Sequence, residues 1–197
     1  QPMTGSKYSS EVNNIIAIIK NDLEYSGYFS VITVNKIPTI GGSETNLDLG
    51  FLKDLSVEAF VQGKYSVSGD RLYIEANAMN PQTGLQLWGK RYRGDLQLYR
   101  EMAHRFSDEM TFRISGYKGI ANSKIAFISK SSGSKELYVM DYDGYNVDQL
   151  TKDNSITLSP TWSPDTTQIA YVSFKRGNPS IFVMDVNTHK SRLLASY

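Results

Sequence analysis

The C-terminal part of the sequence contains an internal repeat of 44 residues, and this repeat limits the possible folds more than any other feature. Three pairs of segments match at the same offset: SKIAFIS (123–129) with TQIAYVS (167–173), ELYVMD (136–141) with SIFVMD (180–185), and QL (149–150) with LL (193–194). A period of about 40–45 residues is typical of the four-stranded blades of β-propellers. The repeat therefore predicts propeller blades in residues 119–197.

The composition of the repeated strands indicates how such blades would be buried. In ELYVMD, Leu137 and Val139 point to one side of a strand and the apolar residues beside them point to the other. Neighbouring blades would cover both faces. Between the repeats, Trp162 would be a large anchor between blades, and Pro160 and Pro164 are expected to mark the ends of a short inner strand around it.

The number of residues in this region is too small for a closed propeller. From Ile120 to the last residue there are 78 residues, which is fewer than two repeats, whereas closed propellers contain about four to eight blades. We therefore expect the first two, incomplete blades of a propeller here, and we interpret the chain as a fragment of a longer protein.

The first 118 residues mix helical and strand patterns instead. Apolar residues at helical spacing predict a first helix that Gly27 ends, and they are Val12, Ile15, Ile16, Ile19 and Leu23. We then expect a strand at 28–34, a short helix within 47–55, and three strands at 57–67, 71–79 and 85–93. Turn residues at 68–70 and 80–84 would join these last three strands.

A last helix is expected between Asp95, as its N-cap, and Gly116, as its C-terminal stop. Its buried stripe would be Tyr99, Met102, Ala103, Phe106 and Met110. The predicted fold class is therefore α+β in residues 1–118, an open sheet with helices on one face, followed by an incomplete all-β propeller in residues 119–197.

Three aspartates near a glycine, Asp141, Asp143 and Asp148, raise the question of an ion site. A helix–loop–helix calcium loop needs oxygen ligands at positions 1, 3, 5 and 12 and glycine at position 6. Counted from Asp141, glycine falls at position 4 and lysine at position 12. We therefore expect Asp143 and Gly144 to be the two central residues of a tight hairpin turn.

No constellation in the sequence indicates catalysis, a metal or a cofactor. There is no cysteine, no G-x-S-x-G motif and no phosphate-binding loop. The two histidines are expected to have surface or helix-pair roles, with His104 facing Asp108 one helical turn later and His189 in a turn. We predict that the protein is not an enzyme and binds no cofactor or metal ion.

The charge and hydropathy patterns exclude two further classes of function. The formal net charge is +1, which argues against a nucleic-acid partner. The basic residues Lys90, Arg91 and Arg93 are expected on a solvated strand face. No run approaches the roughly 18 apolar residues of a transmembrane segment, so none is predicted.

Several segments resemble the TolB family of the Tol–Pal system. The most specific are the junction HRFSDEMTFRISGYKGIANSKIAFIS (104–129) and MDYDGYN (140–146). SPTWSPD (159–165) and IAYVSF (169–174) resemble the family's first propeller repeats, and IKNDLEYSGYFSVI (19–32) and QGKYSV (62–67) resemble its N-terminal domain. The residues that carry these motifs are Gly116, Gly119, Asp141, Asp143, Gly144, Tyr145, Asn146, Pro160, Trp162, Ser163, Pro164 and Asp165. The family's blade motif continues as Ser-Pro-Asp-Gly, whereas here Thr166 follows Asp165, so we expect that turn to be less permissive.

The resemblance implies an N-terminal domain similar to the anticodon-binding domain of class II synthetases, followed by a six-bladed propeller. It also implies a periplasmic location and a binding function that supports outer-membrane integrity and cell division. In such a protein the propeller contacts the peptidoglycan-associated lipoprotein Pal, and a flexible N-terminal segment, expected to lie outside this chain, contacts TolA. Most of the Pal-binding face would also lie outside this chain, and no Pal-contacting residue is assigned.

One other function class stays open on the sequence alone. The repeats would also suit the propeller portion of a serine peptidase of the prolyl oligopeptidase type, with its hydrolase domain after Tyr197. RNA binding through the N-terminal domain would rest on fold analogy only.

Overall fold

The computed structural model describes residues 9–32, 49–54 and 56–196. The backbone falls into two compact units that divide between Ala121 and Asn122. Each unit has its own buried core.

In its described residues the first unit contains three α-helices and an antiparallel meander. In chain order its elements are α1 (Ser9–Tyr25), α2 (Leu49–Asp54), β1 (Phe60–Ser68), β2 (Arg71–Met79), β3 (Gln86–Asp95), a 3-10 turn (Leu96–Leu98) and α3 (Tyr99–Ser115). The sheet order is β1-β2-β3. The predicted short helix and the three predicted strands are confirmed.

Alternation along β2 builds the core of this unit. Leu72, Ala76 and Ala78 are buried on one face of the sheet, where α1 and α3 cover them. From α3, the predicted residues Met102, Ala103, Phe106 and Met110 are all buried. The expected open sheet with helices on one face is therefore confirmed.

The buried face of α1 differs from the predicted one. Ile16 is 56% exposed, whereas Ile18, which the periodicity left out, is buried beside Ile15. The helix buries positions 15, 18, 22 and 23, and position 22 is an aspartate, which a search for apolar residues passes over. The side chain of Val12 lies outside the described residues.

The expected strand at 28–34 is wrong in its described part, because residues 28–32 pair with no other strand. Phe29 and Val31 instead pack against the core of the unit as irregular chain. Residues 33 and 34 lie outside the described residues.

The two ends of the last helix are formed differently. Asp95 makes no side-chain capping bond, because its carboxylate lies 3.3 Å from the guanidinium of Arg71, its register partner on β2. The chain passes through the 3-10 turn first, and α3 begins at Tyr99. Gly116 ends α3 as predicted, with a positive φ of 78° and its N–H donating to the carbonyl of Phe112.

A buried polar pair joins α1 to α3. His104 is buried and not on the surface. Its Nδ1 lies 2.8 Å from Oδ2 of Asp22, and both side chains are almost fully buried. Because this contact joins positions 82 residues apart, helical spacing alone did not indicate it.

The second unit consists of two antiparallel sheets that follow the repeat. The first sheet contains β4 (Lys124–Ser129), β5 (Glu136–Asp141) and β6 (Asp148–Gln149). The second contains β7 (Thr157–Trp162), β8 (Gln168–Ser173), β9 (Ser180–Asp185) and β10 (Ser191–Ser196). The strands β4 and β8, and likewise β5 and β9, begin 44 residues apart, as the repeat predicted.

The two sheets bury a common core. Leu137 and Val139 of β5 meet Ile169, Tyr171 and their neighbours on β8 and β9. The strand β7 lies against β4 and β5, and the N–H of Thr157 donates to the carbonyl of Lys135 across the sheets at 2.9 Å. The expectation that neighbouring blades cover each other's apolar faces is met where these two sheets face each other.

The Asp22–His104 pair gives a test of this packing. We expect Asp22→Ala to lower the free energy of unfolding by about 3 kcal/mol, because it leaves a polar imidazole buried without its carboxylate. Glu24→Ala, which removes an exposed pair with Lys20 at 3.9 Å on the same helix, should cost less than about 1 kcal/mol. Urea unfolding of both variants measures the difference, and similar losses in the two would contradict the assignment.

Candidate functional site

The motif DYDGYN forms the turn after β5. The N–H of Gly144 donates to the carbonyl of Asp141, and the N–H of Asp141 donates to the carbonyl of Tyr145 at 2.8 Å. Gly144 has a φ of +87°, so it occupies the left-handed position that follows a two-residue turn. The prediction that Asp143 and Gly144 are the two central residues is therefore wrong by one position, because the central residues are Tyr142 and Asp143.

The three aspartates of this region have separate partners. Oδ1 of Asp141 accepts a hydrogen bond from Lys124 at 2.7 Å, and Oδ2 accepts one from the Asn146 amide. Asp143 accepts from the N–H of Tyr145, and Asp148 pairs with His189. Within the described ranges no three His, Cys, Asp or Glu side chains form a metal-binding group.

The turns of the two repeats meet at one edge of the second unit. His189, in the turn after β9, has a φ of +55° and places Nε2 3.1 Å from Oδ2 of Asp148 at the start of β6. Beside this contact Tyr145 and Val147 are 60% and 57% exposed. Exposed apolar side chains on a rigid turn are suited to protein contacts. We call these four residues the turn edge. The sequence alone did not indicate it, because its members come from different repeats.

The segment SPTWSPD spans a strand end and a turn. Pro160 lies inside β7 rather than at its end, where Ser159 has a positive φ and the register with β8 shifts between Leu158 and Thr161. A proline is tolerated there because a bulge leaves its position out of the ladder. Trp162 ends the strand and packs against the core that the two sheets share.

The turn that follows is held by side-chain hydrogen bonds. Oδ1 of Asp165 accepts from the Ser163 hydroxyl at 2.6 Å and from the N–H of Thr167. These bonds hold the pKa of Asp165 below its ordinary value, the bond from Ser163 having the largest effect. Thr166 has a φ of +60°, at the position where the family motif has glycine. The turn is less permissive, as expected from the sequence, because it places a β-branched residue in the left-handed region.

The two glycines of the junction have different physical roles. Gly116 needs its positive φ, and a Cβ there would meet open space. A Cβ on Gly119 would lie 2.5 Å from the Cα of Asp108, so no side chain fits. This close approach lets Oδ1 of Asp108 accept the N–H of Ala121 at 2.7 Å, which fixes the chain after α3.

The basic residues of β3 are in contact with other side chains at the surface. Lys90 forms an ion pair with Glu109 of α3, and Arg91 lies 3.2 Å from Glu75 of β2. Arg93 lies over the ring of Tyr73. All three are exposed, as the sequence suggested.

Two family models match the chain in series. The model described as the TolB amino-terminal domain matches residues 2–85, and the model described as the TolB beta propeller domain matches residues 112–197. The chain belongs to the TolB family. The resemblance inferred from the junction and blade motifs is confirmed.

Relatives in the TolB family agree with this result. Tol-Pal system protein TolB of Geobacter sulfurreducens is 35% identical over 162 residues, which are 82% of this chain and 38% of that protein. The protein of the same name from Desulfosudis oleivorans is 30% identical over 182 residues, 90% of this chain and 42% of that protein. These names describe a Tol–Pal component and not an enzyme. The chain spans less than half the length of these curated relatives.

The fold agrees with a solved TolB structure. The crystal structure of TolB from Acinetobacter baumannii gives a TM-score of 0.84 at 22% identity and covers 94% of this chain and 47% of that chain. This likeness supports an α+β lead-in followed by propeller blades. Among the described residues, no helix has the length and apolar character that crossing a membrane requires.

The junction predicts distinct outcomes for its two glycines. We expect Gly119→Ala to lower the free energy of unfolding by about 1–3 kcal/mol and to speed amide hydrogen exchange at Ala121, because the new methyl group pushes the loop off Asp108. Gly116→Ala should also destabilise, by about 1–2 kcal/mol, through the left-handed backbone. It should leave the Ala121 amide protected, and equal exchange at Ala121 in both variants would contradict this account.

The blade turn offers a stabilising substitution. We expect Thr166→Gly to raise the free energy of unfolding by about 0.5–1 kcal/mol, because relief of the left-handed threonine exceeds the added entropy of the unfolded chain. Thr167→Gly, in the same turn with an ordinary φ, should destabilise by about the same amount. Thermal unfolding compares the two variants, and a loss of stability in both would show that Thr166 is not strained.

Proposed function

We propose that this chain is part of a non-enzymatic, periplasmic interaction protein of the Tol–Pal system that maintains outer-membrane integrity and supports cell division. The observation that carries the proposal is the serial match of both halves of one chain to the two TolB family models. The core shared by the two sheets adds to it, since stacked antiparallel sheets are the building units of a propeller.

The proposed partners are Pal and TolA. Pal would bind the propeller, of which this chain supplies the first two, incomplete blades. TolA would bind a flexible segment at the N-terminus of the mature protein. Both assignments rest on the family to which the chain belongs, whose members include Tol-Pal system protein TolB of several bacteria.

Within this chain, the turn edge is the candidate contact surface of the propeller half. Tyr145 supplies a large amphipathic side chain, and Val147 supplies an apolar neighbour, both exposed. Tyrosine is among the residues that most often contribute large binding energies at protein interfaces. The exposed Asp148–His189 contact lies beside Val147 in the same surface.

Capture of partners from the cell envelope tests the proposal. We expect the full-length protein that contains this chain, tagged and cross-linked in living cells, to retain Pal through purification. The double substitution Tyr145→Ala with Val147→Ala should weaken that capture, and Leu85→Ala, an equally exposed apolar residue of the first unit, should not.

Two outcomes separate the parts of the proposal. Capture of no envelope lipoprotein by the full-length protein would contradict the function. Capture that the double substitution leaves unchanged would keep the function and reject the turn edge as the contact surface. The serine-peptidase alternative has no support from the relatives' names, and labelling of the protein by a fluorophosphonate serine-hydrolase probe would revive it.

A further inference from the structure

A cleft of about 300 Å³ lies between β3 and α3 in the first unit. Its floor comes from the helix-covered face of β3, and one wall comes from α3 at positions 105, 108, 109 and 112, which share one side of the helix. The loop after α3 closes one end with Lys118 and Gly119. The cleft is at the small end of the range of ligand sites.

One of the residues that line this cleft, Tyr92, has a buried hydroxyl. Tyr92 is only 8% exposed, yet its phenolic oxygen has no hydrogen-bond partner among the described residues. Leaving a buried hydroxyl without a partner is costly, so such groups are normally satisfied by protein, water or ligand. Burial, reinforced by the charge of Glu109, raises the pKa of Tyr92, and the phenol therefore stays neutral and able to donate.

The charged side chains around the Tyr92 hydroxyl determine which charge a ligand of the cleft should carry. Glu109 is engaged by Lys90 and lies 3.6 Å from Arg113. Burial alone would raise the pKa of Glu109, but the hydrogen bond and charge of Lys90 outweigh it and hold that pKa below its ordinary value. The negative charge of Glu109 is thus balanced within the protein.

Two cationic side chains of the cleft, Arg105 and Lys118, are available to contact a ligand. Among the described residues, Lys118 is exposed and forms no ion pair, and the one ion pair of Arg105 is an exposed contact of 3.9 Å with Glu101. Asp108, which also lines the cleft, already accepts the N–H of Ala121. The donors available to a ligand are therefore one neutral phenol and two cationic side chains.

From this geometry we infer that the cleft binds a single carboxylate group carrying an apolar substituent, such as the C-terminus of a peptide with an apolar last residue. The phenol of Tyr92 donates to one carboxylate oxygen, and Arg105 and Lys118 neutralise the charge. Phe112, 54% exposed on α3, offers the apolar substituent a surface. Asp108 disfavours dianions such as phosphate, because a second negative charge would be repelled at short range.

Titration of the full chain with N-acetyl-leucine tests this site, with N-acetyl-leucinamide as the uncharged control. We expect the carboxylate to shift amide resonances of residues 90–92, 105–112 and 118–119, and the amide to shift them weakly or not at all. Tyr92→Phe, which keeps the ring and removes only the hydroxyl, should weaken binding about tenfold. Tyr171→Phe, at a buried tyrosine of the second unit, should leave binding unchanged.

A second variant and a second ligand test the charge contribution and the source of the carboxylate. Lys118→Met, at an exposed position that does not disturb the core, should weaken binding about threefold. Tighter binding of acetyl-Gly-Gly-Leu than of N-acetyl-leucine supports a peptide terminus as the source of the carboxylate, and equal binding supports a small free acid. Equal affinity for acid and amide, or unchanged affinity in a folded Tyr92→Phe variant, would overturn the site. This inference is independent of the proposed Pal and TolA contacts.

Discussion

Burial of β5 on both faces is the constraint from which the second unit follows. Leu137 and Val139 face the core shared with the second sheet, while Tyr138 on the other face is also buried and stacks on Phe127. A strand that is apolar on both faces is stable only between two covering layers, so one blade by itself would leave a large apolar surface in water. The 44-residue repeat supplies the second layer, because it places an equivalent sheet directly after the first.

The short polar turns that follow equivalent strands differ between the two repeats. Asp141 and Asp185 end equivalent strands, but the first turn closes on Tyr145 and the second on Lys190, one residue further along. The second repeat therefore uses His189 in a left-handed conformation, and that residue meets Asp148 of the first repeat. Small differences between the repeats thus create the turn edge, which the strands alone would not form.

The first unit combines an ordinary apolar core with two polar features that sequence patterns overlook. Asp22 and His104 are buried together, and Tyr92, which lines a charged cleft, has a buried hydroxyl. Periodicity located β2, β3 and the buried face of α3, because apolar residues recur there at the expected spacing. It wrongly predicted that Ile16 is buried. It also missed the burial of Asp22, because a charged residue is taken to be exposed until its partner is known.

The sequence by itself determined the α+β lead-in, the blade repeat, the family, and the positions where glycine ends a helix or a turn. These features depend on the spacing of residues and on the backbone conformation within one segment, so the sequence of that segment is enough to predict them. The tertiary structure decided that Pro160 lies in a bulge, that Asp95 pairs with Arg71 instead of capping α3, and that Asp108 binds the junction. It also decided which side chains share the turn edge and the cleft. Such contacts join residues distant in sequence, and their energies depend on burial and distance, which the order of residues does not state.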